Sequence, residues 1–197
     1  MPRNTTINAQ QSLLNSVLQQ MREQAGRGIC VAFTSTNSGE GVTTSVVALV
    51  DALQRGPVTR TLEIDATVLR RLAIEPADIA QYAMPTSADG VFVLTPPASQ
   101  NGGLWEGNLQ YRKECVEHLR RNFSYSLIDC PSLRKAGDAL ALAPVVDGTV
   151  MVVESSRTTK EQLLRAERSL EFAGAKMIGN ILNKRSYVLP KWLYGKV

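Results

Sequence analysis

The feature that most constrains this 197-residue chain is a repeated change of hydrophobic period. Short, nearly continuous apolar runs alternate about six times with longer segments whose apolar residues recur at helical spacing. Ile29–Phe33, Val58–Ile64, Val91–Leu94, Tyr125–Ile128, Thr149–Val153 and Met177–Leu182 read as strands. Residues 1–25, 42–54, 66–83, 109–122, 136–143 and 158–173 read as helical, with Pro76 breaking or restarting the third. Strands that are apolar throughout are covered on both faces. The pattern therefore predicts an α/β fold: a mostly parallel central sheet with helices on both faces, in three layers. The expected organisation is one domain over residues 1–197, with residues 1–25 as an interaction element and 184–197 as a basic tail.

Composition removes several classes. Apolar residues make up 44% and charged residues 20%, an ordinary water-soluble balance. No run approaches about 18 apolar residues, and Met1–Gln20 lacks an apolar signal core, so a cytoplasmic chain is expected. The three cysteines, Cys30, Cys115 and Cys130, cannot all pair within one chain and show no CxxC spacing, against both a disulfide scaffold and a zinc site. The net charge is +4, and no acidic residue follows Glu171, whereas Lys176, Lys184, Arg185, Lys191 and Lys196 do. Trp192, Leu193 and Tyr194 interleave that tail, which is either solvated or able to lie on a membrane surface.

In a sheet of this kind ligands bind beyond the carboxyl ends of the strands. The first strand runs into Thr34-Ser35-Thr36-Asn37-Ser38-Gly39-Glu40-Gly41-Val42-Thr43-Thr44. A Gly-rich turn opening a helix aims backbone N–H groups at one point, which makes it a candidate phosphate cradle. An intact phosphate loop carries Gly-Lys-Ser/Thr where this chain reads Gly41-Val42-Thr43. The second strand ends at Asp65 and a later one at Asp129. Acids in these places hold magnesium or the attacking group in phosphate-loop proteins.

Taken together, these stretches resemble the bacterial tyrosine kinases of capsule and exopolysaccharide synthesis, within the deviant P-loop group that includes the MinD and ParA ATPases. The resemblance runs from about Ile29 to the C-terminus. Gly39-Glu40-Gly41 and Thr43 match the family's first motif, with Val42 in place of its lysine. Ile64-Asp65-Ala66-Thr67 matches the second, with Thr67 replacing its second acid and the arginine displaced to Arg70 or Arg71. Leu127-Ile128-Asp129-Cys130-Pro131 matches the third, and Gly179-Asn180-Ile181-Leu182-Asn183 a later strand.

The resemblance implies ATP or ADP with Mg2+, bound by Ser38, Gly39, Glu40, Gly41, Val42, Thr43 and Thr44, with Asn183 near the adenine. It implies Thr43, Asp65 and Asp129 as metal-side residues, the two aspartates also being the catalytic pair. It implies a membrane-embedded chain-length regulator or export protein as partner, a second copy of the chain as another, recruitment to the inner face of the membrane, and no nucleic acid.

The departures point to weak nucleotide binding. Val42 carries no charge, Thr67 is not an acid, and only Tyr187 and Tyr194 stand where the family has a tyrosine cluster. The family's N-terminal Glu-x-x-Arg-x-x-Arg pattern is not evident in Gln10–Arg27. The leading reading is a degenerate, pseudokinase-like regulatory or binding module of polysaccharide synthesis. The alternatives are an active ATP-dependent tyrosine kinase or ATPase, which requires a substitute cation (Arg70 and Arg71 being candidates), and a MinD/ParA-like positioning ATPase.

Overall fold

A computed structural model describes residues 3–57, 59–95 and 107–184. Its centre is a seven-stranded sheet in the order β3-β4-β2-β5-β1-β6-β7. The strands are β1 (Ile29–Ser35), β2 (Thr61–Asp65), β3 (Ala83–Pro85), β4 (Val91–Leu94), β5 (Tyr125–Asp129), β6 (Gly148–Glu154) and β7 (Met177–Asn183). All neighbours pair in parallel except β3, which runs antiparallel to β4 at the edge. The α/β class and the parallel sheet are as expected. The helices are α1 (Arg3–Ala25), α2 (Val42–Leu53), α3 (Ala66–Arg71), α4 (Leu109–Asn122), α5 (Asp138–Leu142) and α6 (Lys160–Phe172), with a 3-10 helix over Pro76–Tyr82.

The sheet divides the core into two layers, and β1 shows how. Cys30 and Ala32 pack on one face with residues of α3, α4, α5 and α6, while Ile29, Val31 and Phe33 pack on the other with α1 and α2. This two-residue alternation is invisible in an all-apolar strand, because both sides are buried. Leu14 and Leu18 of α1 enter the second layer with Met21 beside them, so most of the N-terminal apolar stripe is used within the chain; Leu13 remains exposed.

Residues 66–83 are interrupted as Pro76 implies: α3 stops at Arg71, and Pro76 opens a separate 3-10 turn, where its missing N–H costs nothing. The strand β3 follows directly and was not expected. It is three residues long and carries Pro85, which an edge position tolerates. Val58, Pro96–Pro97, Trp105, Tyr187, Tyr194 and residues 185–197 of the basic tail lie outside the described residues.

Candidate functional site

The order β2-β5-β1 brings three strand ends together. Asp65 and Asp129 are register neighbours on β2 and β5, and Asp129 also lies opposite Phe33 of β1. Beyond them opens a cavity of about 600 Å³. Ser38, Gly39, Gly41, Val42, Thr43 and Thr44 line it together with Asp65 and Asp129. Ser35, Thr67, Ser132, Lys135 and Lys184 complete the polar part of its wall. Eight of the ten residues picked from the sequence therefore face one space.

Glu40 and Asn183 serve the loop from behind. Glu40 is fully buried, and its carboxylate accepts from the backbone N–H groups of Thr36 and Asn37 at 3.0 and 3.1 Å. It also accepts from the Asn37 amide at 3.0 Å and from the Thr158 hydroxyl. One carboxylate thus gathers the inner side of the turn. The outer side is held by its carbonyls. Arg157 donates to the Ser38 carbonyl at 3.2 Å, Lys184 to that of Gly39 at 2.6 Å, and Asn183 to that of Glu40 at 2.9 Å.

A trans peptide points its N–H opposite to its C=O. Tying those three carbonyls on one side turns the N–H groups of Gly39, Glu40 and Gly41 to the other. Among the described residues no backbone acceptor takes them up, nor those of Val42, Thr43 and Thr44 at the start of α2. Gly39 and Gly41 stand at φ +83° and +98°, where side chains are disfavoured. A Cβ on Gly41 would lie 2.1 Å from the Asn183 amide nitrogen, so that glycine is required by space as well as by backbone angle.

Across the cavity the Thr43 hydroxyl donates to Asp129 Oδ2 at 2.5 Å. Asp65 caps α3 by accepting from the Thr67 N–H at 2.8 Å. Burial pushes the Asp129 carboxyl above its ordinary range; the Thr43 hydrogen bond pulls it down and the nearby Asp65 charge pushes it up. Glu63 on β2 is raised as well, by burial first and then by the charges of Asp129 and Asp51. These groups are short of positive charge. The hard oxygens of Thr43, Asp65 and Asp129 suit Mg2+, which takes one or two carboxylates and fills its shell with water and substrate phosphate. The residues present fit a magnesium nucleotide.

No family model matches the chain. It is 28% identical over 174 residues to the tyrosine-protein kinase YwqD of Bacillus subtilis, covering 78% of this chain and 71% of that protein. It is 27% identical over 175 residues to the tyrosine-protein kinase CpsD of Streptococcus agalactiae, with 78% and 74% covered. The chain is thus similar, over most of its length, to bacterial tyrosine kinases. A third relative is the succinoglycan biosynthesis transport protein ExoP of Rhizobium meliloti, 32% identical over 114 residues that make up 58% of this chain and 12% of that protein.

Solved structures share the fold. The BceF tyrosine kinase domain superposes with a TM-score of 0.66 at 20% identity, covering 87% of this chain and 75% of the other. MinD from Pyrococcus horikoshii, solved with Mg-ADP, gives 0.59 at 19% identity, with 81% and 72% covered.

Against that family's pattern, the chain's own cations are rearranged. Val42 lines the cavity but also packs against the apolar layer of its face. Arg70 pairs with Asp138 at 3.7 Å, and neither it nor Arg71 lines the cavity, which corrects their place as substitute cations. Lys184 and Lys135 are the cations there. Lys184 bridges the Gly39 carbonyl and Glu154, at 3.2 Å from the latter, and among described non-glycine residues it alone has a left-handed backbone, φ +52°. Lys135 has no ion pair among the described residues. In the sequence Lys184 is only the start of the basic tail. Its signal was adjacency to Asn183, which sequence order shows but whose meaning requires β7 to lie beside the loop.

Proposed function

We propose that this chain acts in exopolysaccharide or capsule synthesis as a regulatory or binding module that takes up magnesium nucleotide weakly and turns it over slowly or not at all. One observation carries the reading. The cradle keeps its backbone and its two strand-end aspartates, while position 42, where the family resemblance expects the phosphate lysine, holds a half-buried valine packed against the core. On this reading the N–H groups from Gly39 to Thr44 receive the phosphates, with Ser38 at the rim. Thr43, Asp65 and Asp129 hold Mg2+, whose positive charge offsets the phosphate oxygens when it is bound. The Glu40 carboxylate and the Asn183 amide keep the loop in shape.

The link to polysaccharide rests on the kinship with the succinoglycan transport protein. By the same kinship the chain's partner is a membrane-embedded chain-length regulator or export protein, and a second copy of the chain is a further one. Among the described residues no helix is long and apolar enough to cross a membrane.

A second reading, an active ATP-dependent tyrosine kinase, is favoured by Lys184 and Lys135 in the cavity wall. Calorimetry with ATP and ADP plus Mg2+, on the wild type and Val42→Lys, separates the two. Loss of one charge-assisted contact costs about 1.5–3 kcal/mol, or about 10- to 100-fold in affinity. The module reading expects millimolar binding in the wild type and a gain of that size in the variant. Micromolar binding in the wild type, with tyrosine phosphorylation of the chain or an added substrate, establishes the kinase reading.

A further inference from the structure

At the opposite end of the sheet, where β1 and β5 begin, lies a second pocket of about 380 Å³. It is walled by Arg22, Arg27, Arg60, Arg120 and Arg121, with Glu23 as its one acid. A seven-residue strand separates it from the cradle by about 20 Å. We propose that this pocket binds a compact oligophosphate anion, independently of the nucleotide cradle.

The state of the guanidinium groups supports this. Arg60 lies over both Phe92 and Phe123, at 4.9 and 5.2 Å from the ring centres, and Arg22 lies over Tyr125 at 5.5 Å. Neither side chain has a carboxylate or carbonyl acceptor among the described residues, and Arg22 Nε is buried without a hydrogen-bond partner. Aromatic stacking thus fixes two planar forks of donors and leaves the donors unused. A guanidinium in that state matches the paired oxygens of an oxyanion.

The other three arginines do have acids. Asp147 pairs with Arg27 at 3.1 Å and with Arg120 at 2.9 Å, while Glu117 lies 3.5 Å from both Arg120 and Arg121. Even with Asp147, Glu117 and Glu23 all counted, the five arginines leave an excess of two positive charges. A single carboxylate does not balance that, whereas one phosphate group carries nearly two charges at neutral pH. A recess of this volume is of small-molecule size, and Arg22 and Arg60 both line it.

The test is magnesium-free calorimetry of tripolyphosphate on the full chain, comparing wild type, the double variant Arg22→Gln/Arg60→Gln, and the cradle variant Gly41→Val. The expected result is saturable binding that weakens about tenfold or more in the double variant and is unchanged in Gly41→Val. Absence of binding in the wild type overturns the proposal, as does a loss that follows Gly41→Val. If the double variant fails to unfold cooperatively, Arg60→Lys decides: it keeps the charge and loses the fork, so weaker binding supports the pocket and unchanged binding overturns it. Binding to phosphatidylglycerol vesicles or hexaglutamate that tripolyphosphate does not compete away also overturns it, and reassigns the patch to a membrane or an acidic protein.

Discussion

The Thr43 hydroxyl donates to Asp129 at 2.5 Å, joining the first turn of α2 to the end of β5. The contact closes a cavity whose other acid, Asp65, sits on the adjacent strand β2.

That arrangement has a pH signature. Folding raises the Asp129 pKa, chiefly by burial. The folded chain then holds this proton more tightly than the unfolded chain. Stability is greatest with Asp129 protonated, and falls as pH rises from the ordinary carboxylate range through the raised value. Asp129→Asn should flatten this fall in urea-melt stability above the ordinary carboxylate range, and should also abolish any Mg2+-dependent nucleotide binding.

The cavity lysines should carry what nucleotide affinity remains. Lys135→Ala removes a cation without an ion pair, and a drop in Mg-ATP affinity of about tenfold is expected by calorimetry. Lys184→Ala should lower affinity similarly and also loosen the Gly39 carbonyl, giving faster amide exchange in the loop. Unchanged affinity in both variants would remove the lysines from the site.

Glu40 is expected to matter for stability before binding. Replacing it by alanine leaves the buried Thr36 and Asn37 N–H groups without acceptors. A loss of about 3 kcal/mol in denaturant unfolding is expected, from two unsatisfied buried donors. Glu40→Gln keeps an acceptor oxygen and should lose less.

The cysteines should be silent in the folded chain. Cys30, Cys115 and Cys130 are free and buried. Burial pushes the Cys30 and Cys115 thiols each up to about 12, and Cys130 well above its ordinary value, with neighbouring Asp129 adding to its shift. The thiolate is the reactive form. Disulfide reagents at pH 8 should label none of the three without denaturant and all three with it. Labelling of Cys130 in the native chain would show that the cavity wall opens.

Much was legible before any coordinates. The apolar runs located six of the seven strands, and the polar residues following three of them located the cavity. The helix Leu109–Asn122 appears with the bounds its periodicity predicts, because Asn108 caps it by accepting from the Tyr111 N–H and Phe123 leaves it in extended conformation. Local chemistry of that kind acts over a few residues, so it can be read along the chain. The edge strand Ala83–Pro85 could not: three residues carry no period, and they become a strand only because β4 offers them hydrogen bonds.

The same division holds at the site. The order of residues alone determined that a Gly-rich turn, a hydroxyl and two strand-end acids exist, and that valine stands at position 42. Only the tertiary structure decided that Glu40 and Asn183 support the loop from behind, that Arg70 turns away to Asp138, and that Lys135 and Lys184 meet the cavity. The reason is distance along the chain. Lys184 reaches Gly39 across 145 residues, and Asn183 reaches Glu40 across 143. Nothing local specifies such pairs; they follow from β7 pairing with β6 and β6 with β1, an order of strands that packing of the whole sheet selects.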